Sequence, residues 1–204
     1  MNGNAPADER LAKLHASVLS AIADDSDKVA DALAEVTEFE PSYYEGGFGA
    51  YYLYLHYLTA VLQPKLVVEL GTLSGVSAFA MFLALPKTAR LVTVDIVSRE
   101  RSALAGVADD RLEIITANSL DANLPSRANL QSIDLLFVDT DHSYEQASRE
   151  VQLHFPLMSP TGIAAFDDIH LNPGMEQFWN ELPYVKIDTG AAIHQSGFGI
   201  VAPT

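Results

Sequence analysis

No cysteine occurs among the 204 residues, which excludes a disulfide framework and any thiolate metal site. Cations are scarce as well: 12 Lys and Arg stand against 27 Asp and Glu, for a formal net charge of −15. A surface of that sign repels phosphate backbones and argues against nucleic acid as a partner. Much of the charge serves solubility. No apolar run reaches the ~18–20 residues that a membrane span needs. The longest, Tyr51 to Leu62, is interrupted by His56 and Thr59 and stops at Pro64. The opening MNGNAPADER lacks the basic and apolar regions of a signal peptide. The expectation is a cytoplasmic protein with no membrane partner. Repeats, low-complexity tracts and interdomain linkers are also missing.

What the chain has is apolar content, 49% of its residues, enough for one α/β domain with a full core. Leu11, Leu14, Val18 and Ile22 recur at helical spacing and predict an amphipathic helix over Glu9–Asp25. A second helix is predicted from Asp27 to about Phe39, ended by Pro41. The stretch Tyr43–Tyr57 then holds six of the eight tyrosines and a Gly46-Gly47-x-Gly49 hinge. After the hinge, a buried helix leads to Pro64. Residues 1–62 therefore read as an N-terminal helical extension, a cap or lid within the same domain, and residues 63–204 as the main body. Tyr43, Tyr44, Phe48, Tyr51, Tyr52 and Tyr54 fit an acceptor pocket or a lid, although core packing is the commoner reason for such residues.

From Leu66 onward short apolar runs alternate with helical segments. Strands are predicted at Leu66–Leu70, Arg90–Asp95, Leu112–Thr116, Ile133–Val138 and Gly162–Phe166. Helices are predicted at Gly75–Leu85, Arg99–Val107, Leu120–Ala128, Tyr144–Met158 and Gly174–Leu182. Apolar strands without polar alternation, separated by helices, imply a parallel sheet covered on both faces. Tyr184–Asp188 and Ala192–Val201, with Gly190 between them, read as a closing antiparallel hairpin.

The segment Val67-Val68-Glu69-Leu70-Gly71-Thr72-Leu73-Ser74-Gly75 is a strand entering a glycine turn and then a helix. Gly71 can take positive φ and lets a ligand approach the backbone. The next strand ends at Asp95, 24 residues later, a spacing that suits a carboxylate holding ribose hydroxyls. A dinucleotide site would want G-x-G-x-x-G, whereas the spacing here is G-x-x-x-G behind Glu69. A carboxylate there repels a pyrophosphate but suits a nucleoside bearing ammonium and sulfonium charges. S-adenosylmethionine carries both. The competing reading is that Gly71 and Gly75 serve helix–strand packing alone.

Two more acidic groups close predicted strands: Asp139-Thr140-Asp141-His142 after the fourth, and Asp167-Asp168 after the fifth. In a parallel sheet these ends share one edge with the glycine turn. Carboxylates converging there repel one another unless a cation neutralises them, and oxygen ligands suit Mg²⁺ ahead of Ca²⁺ or Mn²⁺. A metal-bound hydroxyl is more acidic, and a nearby base can remove its proton. His142, with an unperturbed pKa near neutrality, is the first candidate base, and Asp141 is the second. Helix capping is the rival explanation for both. His170 reads as a loop residue, Trp179 as packing, and His15, His56, His154 and His194 as structural or exposed, without acidic neighbours in sequence.

At these residues the chain resembles the class I S-adenosylmethionine-dependent methyltransferases, specifically the cation-dependent small-molecule O-methyltransferases of catechol, caffeoyl-coenzyme A and sugar type. The likeness runs from about Leu66 to the end. It implies a doubly wound, Rossmann-like α/β fold with a seven-stranded, mostly parallel sheet and an antiparallel last strand. It also implies that Glu69, Gly71, Gly75 and Ser77 cradle S-adenosylmethionine, that Asp95 holds its ribose, and that Ser119 meets its adenine. Asp139 would border the cofactor and, with Asp167 and Asp168, bind Mg²⁺. The family base, often a lysine three residues after the first metal ligand, corresponds to His142; other members use an acid at the position of Asp141. The acceptor would be a hydroxyl of a small molecule, a sugar or a phenol, and homo-oligomers remain open. The turn departs from the family by lacking the middle glycine of G-x-G-x-G. Three rivals stand: a metal-independent methyltransferase on the same fold, a non-catalytic nucleoside-binding module, and a nicotinamide-dependent oxidoreductase, which Glu69 disfavours.

Overall fold

Alternation along the strands decides the architecture. In Leu66–Leu70 (β1), Val67 enters one apolar core while Leu66, Val68 and Leu70 enter another. The same division runs through Arg90–Asp95 (β2), Ile133–Val138 (β4), Met158–Asp167 (β5) and Phe198–Ala202 (β7). Side chains that alternate in direction and are apolar in both directions require cover on both faces of the sheet. With Leu112–Thr116 (β3) and Val185–Asp188 (β6), the strands form one sheet in the order β3-β2-β1-β4-β5-β7-β6. Strands β1 to β5 are parallel, and β7 runs antiparallel to both of its neighbours. This is a doubly wound sheet with the expected antiparallel last strand. The structure, a computed structural model, describes residues 5–36, 39, 49–98 and 102–203.

One face is covered by α1 (Ala5–Ala34), α2 (Ala50–Leu62) and α3 (Val76–Leu83), whose Leu11, Val18, Tyr54, Leu58 and Met81 share a core with Val67, Phe137 and Phe198. The two helices predicted before Pro41 are both present within Ala5–Ala34, meeting at a kink where Asp25 has non-helical backbone, and the second ends at Ala34 rather than near Phe39. His15 Nδ1 meets the Tyr54 hydroxyl at 2.8 Å, and the Tyr57 hydroxyl donates to the Asp25 carbonyl across that break. The other face is covered by α4 (Leu124–Arg127), α5 (Tyr144–His154) and α6 (Pro173–Glu181), with Phe178 and Trp179 buried against Phe166 and Val201. Among the described residues, no helix is long and apolar enough to cross a membrane.

The first four parallel strands have the limits read from the sequence; other elements differ. The helix predicted at Arg99–Val107 is a pair of turns over residues 102–107, closed by Ala105 N–H to Ser102 O and Val107 N–H to Leu104 O, with Gly106 at φ 91°; residues 99–101 lie outside the described set. Between Leu120 and Ala128 only one turn is helical, because Asp121 draws the Asn123 amide into a side-chain turn and Pro125, lacking an N–H, fits only the first turn of a helix. The fifth strand starts early, at Met158, across a register shift between Ile133 and Leu135. The last strand starts late, at Phe198, because residues 191–197 form a loop closed by His194 N–H to Gly190 O and Gly197 N–H to His194 O.

One glycine sets the spacing at the centre. Gly71 has φ 99°, and a Cβ added there would lie 1.7 Å from the Asp139 carbonyl oxygen. Its absence lets the ends of β1 and β4 close, with Asp139 N–H donating to Leu70 O and Gly71 N–H to Val94 O. Gly71→Ala is therefore expected to destabilise the protein by at least ~2 kcal/mol through strain and overlap; a urea midpoint equal to that of the unsubstituted protein would contradict this.

Candidate active site

The strand order reverses between β1 and β4, and a doubly wound sheet opens its crevice beyond the carboxyl ends of such strands. A cavity of about 420 Å³ lies there, within the ~300–1,000 Å³ usual for small-molecule sites. Of the residues predicted from the sequence, Gly71, Ser77, Asp95, Ser119, Asp139, Asp141, His142 and Asp167 line it. Glu69, Gly75 and Asp168 are not on its wall. Gly75, at φ 81°, begins α3 and packs against Leu104. Tyr51 and Tyr52 of α2 form a further wall, while Tyr54 packs on Phe198. Tyr43, Tyr44, Gly46, Gly47 and Phe48 lie outside the described residues.

The Asp95 carboxylate is locked by two backbone amides, Leu73 N–H at 2.8 Å and Val97 N–H at 2.9 Å, and still borders the cavity. Glu69 is different. It is fully buried, and its oxygens take hydrogen bonds from the Ser77 and Thr93 hydroxyls, Thr93 in turn meeting Thr72. Burial pushes its pKa up to about 8 against those two hydrogen bonds, with the charges of Asp139 and Asp95 adding to the rise. Glu69 thus reaches the cavity through Ser77 and Thr72 rather than by its own oxygens.

The second group of acids does converge. His142 Nε2 is 3.1 Å from Asp139 Oδ1 and 3.7 Å from Asp168 Oδ2, between two carboxylates. Burial opposes the imidazolium, but the Asp139 hydrogen bond and the charges of Asp139, Asp168 and Asp141 outweigh it and raise the His142 pKa. Asp167 is 3% exposed, and among the described residues none donates a hydrogen bond to its Oδ1. Burial, then the charges of Asp139 and Asp168, push its pKa well above the usual carboxylate range. Donor atoms of Asp139, His142 and Asp167, and separately of Asp167, Asp168 and His194, lie within 4.8 Å of one another. Capping of α5 falls to Ser143, which accepts from Gln146 N–H, so Asp141 and His142 are not occupied by that role. Both His142 (φ 48°) and Asp168 (φ 56°) adopt left-handed backbone, a strain of about 1–3 kcal/mol each that clusters at functional sites.

Two residues escaped the sequence reading. Glu150 is fully buried and accepts from Ser119 Oγ (2.6 Å), Gln146 Nε2 (2.8 Å) and Thr140 Oγ1 (3.0 Å), all three donors lining the cavity. A signal existed: Ala147, Glu150 and His154 share the buried face of α5 at helical spacing. His194, expected to be structural or exposed and lacking acidic neighbours in sequence, is 3% exposed and lies 3.8 Å from Asp167 and 3.7 Å from Asp168. Burial lowers its pKa against the pull of Asp168 and Asp139. Nothing local marks it as part of the acid cluster, because Asp167 and Asp168 are more than 25 residues away in sequence. His170 pairs with Asp188 at 2.7 Å outside the cavity.

A family model described as a methyltransferase domain matches residues 68–169, half of the chain. The chain belongs to the methyltransferase domain family. Tapetum-specific methyltransferase 1 of Arabidopsis thaliana is 31% identical over 140 residues, covering 64% of this chain and 58% of that protein. A catechol O-methyltransferase of Niastella koreensis is 32% identical over 96 residues, 43% of this chain and 42% of that protein. Among solved structures, the O-methyltransferase TomG of Streptomyces achromogenes, in complex with S-adenosylmethionine, is 25% identical with a TM-score of 0.58, covering 72% of this chain and 76% of that one. The chain spans less than two thirds of the length of these two curated relatives.

The matched region of this methyltransferase domain runs from the middle of β1 through Ile169 and so contains Glu69, the glycine turn, Asp95 and both acidic pairs; Tyr51, Tyr52 and His194 lie outside it. Glu69 yields a pH signature. A carboxyl with its folded pKa near 8 keeps a proton that the unfolded chain, near 4.5, has released. Its contribution to stability therefore falls as pH rises between those values, by up to ~1.4 kcal/mol per unit, and levels off above pH 8. Relative to Glu69→Gln, the unsubstituted protein should lose stability from pH 5 to pH 8 in urea titrations; a difference independent of pH would refute the buried, protonated carboxyl.

Proposed function

We propose that this chain transfers a methyl group from S-adenosylmethionine to a hydroxyl oxygen of a small molecule, a sugar or a phenol, with the help of a divalent cation, Mg²⁺ by resemblance. The observation that carries the reading is that the glycine turn, Asp95 and the carboxylates closing β4 and β5 border one cavity at the reversal of strand order. The names of the relatives support a methyl donor and an oxygen acceptor, and the net charge of −15 supports a small acceptor over nucleic acid.

The residues fit both groups. Gly71 permits close approach to the backbone, the amide-locked Asp95 oxygens retain lone pairs for ribose hydroxyls, and Ser119 and Gln146 offer polar contacts to a base. S-adenosylmethionine supplies an electrophilic methyl on sulfur. For the cation, the fit rests on Asp167 Oδ1, a buried carboxylate oxygen without a hydrogen-bond donor among the described residues, beside two further acids. Asp139, Asp167 and Asp168 would hold the ion, and a bound dication acidifies and orients an acceptor hydroxyl. His142, held by Asp139, would take the hydroxyl proton, with Asp141 at the exposed mouth as the alternative base. Tyr51 and Tyr52 offer aromatic surface to the flat face of an acceptor, which supports residues 1–62 as a cap over the site. Walls that hold both reactants in line for displacement supply much of the acceleration.

A second reading, metal-independent transfer on the same fold, is favoured by one observation: His142 Nε2 itself stands between Asp139 and Asp168 and can balance their charge as an imidazolium. Chelation separates the two. Excess EDTA is expected to abolish turnover, with recovery on adding back a divalent salt; full turnover in EDTA favours the second reading. In either case His142→Ala should lower the rate by roughly 10²–10⁴-fold, and a variant with near-normal turnover would transfer the base role to Asp141.

A further inference from the structure

His194 faces the acids from a different part of the fold, the loop between β6 and β7, and the family match ends before it. Three observations bear on its role. Its Nε2 lies 3.8 Å from Asp167 Oδ1, beyond hydrogen-bond reach, and that buried oxygen has no donor among the described residues. Two donors that each sit ~2.0–2.2 Å from one ion are at most about 4.4 Å apart, so this separation suits two ligands of a shared cation. Third, the imidazole is oriented from behind. Nδ1 is 2.9 Å from Ser196 Oγ, and the Ser196 hydroxyl donates to Asp168 Oδ1. With its hydrogen given to Asp168, Ser196 Oγ accepts from Nδ1–H, which favours the tautomer that turns a nitrogen lone pair toward Asp167. The longer contact from Ser196 N–H, at 3.3 Å, competes weakly. The Tyr51 ring packs edge-on against the imidazole at 4.8 Å and limits its rotation.

We infer that His194 Nε2 is a ligand of the cation held at Asp167 and Asp168, and that this mixed nitrogen–oxygen set selects a first-row transition dication over Mg²⁺. The inference rests on the cation reading above and deepens it. Carboxylates alone suit Mg²⁺, whereas a nitrogen ligand favours the transition series. The Ser196–Asp168 relay behind Nδ1 has the form of the hydrogen-bonded support that fixes the tautomer of metal-bound histidines.

The test uses Mn²⁺ as a paramagnetic probe on the whole protein. Spin-echo spectra of the Mn²⁺-loaded protein should show modulation from a directly bound imidazole ¹⁴N. The modulation should persist in His142→Gln and vanish in His194→Gln. In competition titrations the preference for Mn²⁺ over Mg²⁺ should fall by about 10-fold or more in His194→Gln. Saturable Mn²⁺ binding without ¹⁴N modulation overturns the assignment of His194 while leaving the cation site intact. Modulation lost in His142→Gln instead overturns it in favour of His142. No Mn²⁺ or Mg²⁺ binding at millimolar concentration overturns the cation reading and this inference together. Should His194→Gln fail to fold, the spectrum of the unsubstituted protein still decides whether any imidazole is bound, and Ser196→Ala, which frees the ring to turn, should weaken the modulation.

Discussion

Like charges brought together in a poorly solvated place are the constraint around which this site is organised. Asp139, Asp167 and Asp168 leave the ends of two adjacent parallel strands, so the sheet itself sets their separation and neither strand can retreat. Such an arrangement persists only where protons, imidazoles or a cation offset the repulsion. The structure supplies His142 from one side and His194 from the other, and holds Asp168 with the Ser196 hydroxyl. Left-handed backbone at His142 and Asp168 shows that surrounding packing enforces the crowding against local preference.

The rest of the cavity follows a second pattern, in which buried carboxyls arrange polar side chains that line it. Glu69 holds Ser77 directly and Thr72 through Thr93. Glu150 holds Ser119, Gln146 and Thr140. Neither carboxyl lines the cavity, yet each fixes the orientation of two or three groups that do. Hydroxyls rotate freely unless both donor and acceptor roles are assigned, and partners of this kind make a polar wall specific rather than merely wet.

The parallel strands were legible because their signal is local. Short, mostly apolar runs bounded by turn chemistry are enough to mark a buried strand, and Asp95, Asp139 and Asp167 stand at the ends of three of these strands, next to them in sequence. The convergence of Gly71, Asp95, Asp139 and Asp167 follows from parallel order alone. Elements that depend on competition between weak preferences were less legible. Arg99–Val107 has helical composition, but residues 102–107 form turns that seat Leu104 against Gly75, and Ala192–Val201 has strand composition but yields at its start to a loop. Glu150 could have been found by following the buried face of its helix through a charged residue.

The sequence by itself determined the sheet, its two apolar faces, the glycine that lets β1 and β4 meet, and the edge on which the acids gather, because each is set by periodicity or turn chemistry within a few residues. Only the tertiary structure decided how those acids are used. Whether Glu69 faces ligand or protein depends on the packing of β1 between β2 and β4 under α3. Whether a histidine reaches Asp167 depends on how the loop that carries His194, 27 residues downstream, folds back toward it. Such choices are fixed by contacts between distant segments, and their energies arise from burial and mutual charge that exist only once the chain has closed.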